Sequence, residues 1–169
     1  MFFTLSLYTP KRSLGARNKV KNMNNVEHNI KLLSQYLKGR FMSSFKFDNY
    51  FTLNFHADYN ISSSFPLDIE LTIMSEWWFG VKDDWDKNVL KYGKGVEPSE
   101  PILAYELALL RWSDNPYISE VGYETNLIKI QFQNHIILNI SLDIEDENHD
   151  YFYFLVDSKS KNILLEHTI

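Results

Sequence analysis

The chain has no cysteine, few glycines and prolines (six and five in 169 residues), and no apolar run approaching the ~18 residues a membrane-spanning helix needs. Lack of cysteine removes disulfide frameworks, thiol nucleophiles and Cys-ligated zinc or iron–sulfur centres, and it fits a reducing, cytoplasmic setting. None of the glycines falls in a Gly-x-Gly-x-x-Gly or P-loop order, and the glycines around Lys94 form too short a cluster, so no cradle for nucleotide phosphates is evident. No Gly-x-Ser-x-Gly elbow occurs, which disfavours hydrolysis by a nucleophilic triad. Arginine is scarce too. Beyond residue 22 there are only Arg40 and Arg111.

Charge is divided unevenly. Residues 1–22 carry Lys11, Arg12, Arg17, Lys19 and Lys21 with no acid, and read as a basic tail or extension. Residues 23–169 hold the remaining 12 basic against 22 acidic side chains, a net charge of −10. Such a body repels nucleic acid, whose binders need Lys and Arg against the phosphates, and suits a cationic protein partner. With 44% hydrophobic side chains, including 12 Phe, 10 Tyr and 4 Trp, there is ample material for one packed core.

Periodicity divides residues 23–169 into two units of one domain. Asn24 or Asn25 with Glu27 has capping-box spacing, Val26, Ile30, Leu33 and Leu37 follow at helical intervals, and Gly39 stops the helix. Phe41, Phe45 and Phe47, then Phe51, Leu53 and Phe55, alternate with polar residues on either side of Asp48 and Asn49, as in a hairpin. Leu67, Ile69, Leu71 and Ile73 form a further half-buried strand, with a short fourth over Glu76–Phe79. The next 18 residues, with Asp83, Asp84 and Asp86, read as an acidic connector. A second helix is expected from Ser99, with Leu107 on its apolar face, then strands over Tyr117–Tyr123, Leu127–Phe132, Ile136–Ile144 and Tyr151–Val156, and an edge pairing at Ile163–Glu166. Residues 24–80 and 99–169 thus repeat helix-then-antiparallel-strands, and the fold class is α+β, with an internal duplication suggested by matching Tyr50–Phe55 to Leu127–Phe132 and Asp68–Ile73 to His135–Ile140.

Candidate chemistry is thin. The five histidines are scattered, with no His-Glu-x-x-His pair. Asp143, Glu145, Glu147 and His149 present hard ligands, but without EF-hand spacing they read as a solvated turn, so neither metal nor cofactor is expected. His56 two residues before Asp58 has the form of an oriented general base, yet there is no nucleophile for it to serve. A deep pocket holding His56, Asp58 or His135 would turn the reading towards a small-ligand binder or a hydrolase.

Surface chemistry is richer. Trp77 and Trp78, adjacent in a strand, point to opposite faces, so one indole is expected outside as an interface anchor beside Asp83, Asp84 and Asp86. Asp143, Glu145, Asp146, Glu147 and Asp150, running into Tyr151, form a second acidic-aromatic patch. The repeated layout, a strand ending in Leu-x-Phe or Ile-x-Phe, a strand carrying Leu-x-Ile, then a Trp- or Tyr-rich strand, resembles over residues 24–156 the small single-domain bacterial immunity proteins encoded beside contact-dependent toxins. That resemblance implies a non-catalytic, stoichiometric binder seated on a basic toxin domain. It carries over no site residue.

Overall fold

The computed structural model describes residues 19–47, 50–58, 65–93, 107, 117–143 and 151–168. The first helix, α1 (Lys19–Leu37), begins five residues before the expected Asn24 start, so it takes in the end of the basic tail. Neither glycine nor proline separates Lys19 from Asn24, and a helix once nucleated extends through such residues. Gly39 ends it as expected: at φ 79° it adopts the left-handed conformation that glycine tolerates, and its N–H donates to Ile118 O at 2.9 Å.

Among the described residues nine strands follow, with a second helix between the fourth and fifth: β1 (Arg40–Phe47), β2 (Phe51–Ala57), β3 (Asp68–Ile73), β4 (Trp77–Phe79), α2 (Lys82–Gly93), β5 (Ile118–Glu124), β6 (Leu127–Phe132), β7 (Ile137–Ser141), β8 (Tyr151–Asp157) and β9 (Ile163–Thr168). They form two antiparallel sheets, a five-stranded sheet A in the order β1-β2-β3-β8-β9 and a four-stranded sheet B in the order β4-β7-β6-β5. The fold is α+β. Thr125 and Asn126, with φ of 50° and 60°, make the tight β5–β6 turn their identities suggest.

Each half builds three consecutive strands of one sheet and then hands its next strand to the other. The first half lays down β1-β2-β3 and sends β4 to pair with β7; the second lays down β5-β6-β7 and sends β8 to pair with β3. The two units are therefore interlocked, and their inner faces meet in one core. Phe51, Leu53, Phe55, Ile69, Leu71 and Ile73 of sheet A pack with Ile128, Ile130, Phe132, Leu138 and Ile140 of sheet B and with Ile30, Leu33 and Leu37 of α1. Leu107, from the stretch expected to be the second unit's helix, is helical and fully buried.

The expected connector after Gly80 is instead α2. Charge at five of its first six positions hides the periodicity, but Asp83 and Asp84 lie in the first turn, where they oppose the helix dipole. Trp85 is its buried anchor, 5.9 Å from Trp77 and 6.0 Å from Phe79 between ring centroids.

A polar contact ties α1 to sheet A. Asn29 Nδ2 donates to His167 Nδ1 at 3.3 Å and to Glu166 O at 3.4 Å, and the buried His167 ring stacks on Tyr153, centroids 5.5 Å apart. An imidazole nitrogen that accepts from Asn29 is unprotonated, and burial lowers the pKa of His167 below its ordinary 6.5. The unfolded chain therefore binds this proton more readily. This group's contribution is complete above pH 6.5 and declines as pH falls, by at most about 1.4 kcal/mol per unit, until the folded-state pKa is passed. Urea unfolding of His167→Phe should lose less stability between pH 7.5 and 5.5 than unfolding of the parent; equal losses would refute the assignment.

Candidate functional site

The crossing strands bring three segments together. At the end of β3 the N–H groups of Met74 and Ser75 donate to Phe152 O at 2.9 and 3.2 Å, and at the start of β4 Glu76 O accepts from Ser141 N–H at 2.8 Å. Residues 74–76, the end of β7 and the start of β8 thus lie together. Glu76 is thereby fixed against Ser141, two residues before Asp143 along the chain leaving β7, at this crossover.

Its charges are partly neutralised. Lys82 Nζ bridges Glu76 at 2.9 Å and Asp86 at 2.7 Å while lying 5.4 Å above the Trp78 ring, and Lys87 sits 3.5 Å from Asp84. Burial lowers the Lys82 pKa, but the neighbouring carboxylates outweigh it and hold the value above that of an ordinary lysine, so the ammonium is charged at neutral pH. Asp83 is exposed and no described cation bridges it. Asp143 is exposed and accepts from Asn126 Nδ2 at 3.1 Å. Tyr151 enters β8 opposite Thr168. Glu145, Asp146, Glu147 and Asp150 lie outside the described residues.

The indoles correct one expectation. Trp77 and Trp78 do face opposite ways, but neither is an exposed anchor: Trp77 stacks on Phe51 with centroids 3.9 Å apart, and Trp78 is buried. Trp77 points inward because β4 belongs to sheet B, which turns that side towards sheet A. The apolar group that does stand out here is Val81, 65% exposed, between Gly80 and the α2 acids.

A second surface concentrates rings and carboxylates that the sequence did not group. Phe41 of β1 stands opposite His56 of β2, His56 opposite Asp68 of β3, and Phe41 bridges to Tyr117 ahead of β5. Ring centroids are 5.5 Å apart for Phe41–His56 and 5.6 Å for Phe41–Tyr117. His56 Nδ1 lies 2.6 Å from Asp68 Oδ1, and Tyr117 O–H donates to Asp58 Oδ2 at 2.5 Å. Donation to Asp58 raises the Tyr117 pKa, since ionising the phenol would break the bond and set two anions together. The carboxylate partner of His56 is thus Asp68, not the Asp58 two residues away. The signal was the β2–β3 register, which alternation alone does not supply.

An open groove of about 520 Å³ runs between α1 and β5, lined by Glu27, Ile30, Lys31, Ser34, Val121 and Tyr123, and holds none of His56, Asp58 or His135. His135 occupies an exposed turn at φ 66°. Among the described residues no three His, Asp or Glu side chains are grouped to hold a metal ion, and no helix is long and apolar enough to cross a membrane.

No protein-family model, curated protein or solved structure matches the chain.

Proposed function

We propose that the protein is a non-catalytic binding module of the immunity type, acting in the cytoplasm by covering a basic toxin domain with its acidic crossover face. The observation that supports this reading is the pair of backbone links, Ser141 N–H to Glu76 O and Met74 N–H to Phe152 O, which brings Glu76 beside the end of β7 and the start of β8, with Lys82 joining Glu76 to Asp86 of α2. Nine residues, 142–150, separate β7 from β8 in the sequence, and among them are Asp143, Glu145, Asp146, Glu147 and Asp150. The net charge of −10 on residues 23–169 favours fast encounter with a cationic partner. Val81 supplies an apolar contact among the acids.

Co-expression with basic toxin domains tests the function, and binding kinetics test the face. Replacing Asp83, Asp84 and Asp143 together by lysine is expected to slow association at low salt by about tenfold or more and to flatten its salt dependence. All three are exposed, so the fold should survive. Association insensitive to ionic strength, or unchanged in the triple variant, would remove the crossover face from consideration.

A further inference from the structure

The ring row beside β1 has a chemistry distinct from the crossover. Most described acids that meet a basic partner meet a lysine: Glu70 with Lys161, Glu76 and Asp86 with Lys82, Asp84 with Lys87, Glu124 with Lys129. Asp58 and Asp68 instead are held by a phenol and an imidazole, each through one oxygen. Asp58 Oδ1 and Asp68 Oδ2 carry no bond from any described residue, Asp58 is exposed, and the Asp68 side chain is 54% exposed. Arg40, buried beneath, adds positive field to Asp68 but directs its donors to three backbone carbonyls. Leu67, 46% exposed, precedes Asp68 at the border of the patch.

Open carboxylate oxygens beside ring faces are what a guanidinium recognises. It is planar and weakly hydrated, it stacks on aromatic rings, and its fork donates to carboxylates; an ammonium is a more strongly hydrated point charge without the fork. We propose that Phe41, His56, Tyr117, Asp58 and Asp68 form an arginine-docking site, where an arginine side chain on a partner protein lies against the rings and donates to Asp58 Oδ1 and Asp68 Oδ2. Opposite charge and ring stacking choose this occupant; a nucleic acid would bring phosphates to two carboxylates.

The experiment needs no toxin, so its outcome is separate from that of the proposed function. Gly-Arg-Gly titrated into the full chain should give saturable, millimolar shifts in the backbone amide NMR signals of Phe41, His56, Asp58, Asp68 and Tyr117. Asp58→Asn and Asp68→Asn should each weaken binding about tenfold, and Phe41→Leu about threefold through the lost ring. Gly-Lys-Gly binding as tightly, or shifts spread equally to Glu27, Asp83 and Asp143, would overturn the proposal. If Phe41→Leu fails to fold, Asp58→Asn decides alone, because Asp58 is exposed and asparagine can still accept from Tyr117.

Discussion

Arg40→Met should unfold in urea with about 4 kcal/mol less stability than the parent, among the largest losses available from one side chain outside the apolar core. Arg40 is fully buried, yet its donors go to carbonyls: Nε to Tyr36 O at 2.5 Å, Nη1 to Leu67 O at 2.7 Å and Nη2 to Pro66 O at 2.6 Å. Tyr36 is the penultimate residue of α1, where helical carbonyls lack partners and the dipole is negative, so a cation is favoured there. Burial lowers the arginine pKa, and Asp68 partly restores it, so the group stays charged. Methionine fills much of the volume but takes the guanidinium donors from Tyr36 O and Pro66 O, while Leu67 O keeps the Ala57 N–H at 2.8 Å. Arg40→Lys retains the charge without the fork and should fall between the two. A loss below about 1 kcal/mol for Arg40→Met, smaller than one unsatisfied buried carbonyl usually costs, would show that water or rearranged backbone replaces the guanidinium.

The second large effect comes from a pair. Phe55 in β2 and Phe132 in β6 lie on corresponding strands of the two halves, and both are fully buried in the shared core. Phe55→Ala and Phe132→Ala should each cost about 4 kcal/mol, the usual range for a large ring removed from a packed interior. More telling is the form of the transition. Because the sheets exchange strands, each variant should still unfold in one step, with tryptophan fluorescence and far-ultraviolet circular dichroism changing together. Two separated transitions after either replacement would mean that the halves hold separate cores.

The elements of this fold were readable where residues meet neighbours close in sequence. Alternation at Phe51, Leu53 and Phe55 and at Ile128, Ile130 and Phe132 placed β2 and β6, and Thr125–Asn126 announced its own turn. The destination of β4 was not readable, since the pairing of Trp77 with Ile140 spans 63 positions and local pattern says nothing about it. That single pairing turned Trp77 inward and ended its role as an exposed anchor. The helix at Lys82–Gly93 was hidden for a different reason: its surface acids masked Trp85, the buried residue that anchors it. The arginine-docking row was invisible because Tyr117, Phe41, His56 and Asp68 come together only through strand register.

The reciprocal passage of β4 and β8 has one more implication. Severing the backbone between Gly93 and Ile118 would give two pieces, one in which β3 lacks β8 and one in which β7 lacks β4, each exposing an unpaired strand edge. Neither piece is a miniature of the whole. Mixed together, they carry complementary gaps, so the molecule behaves as a covalently tethered clasp in which each arm closes the other.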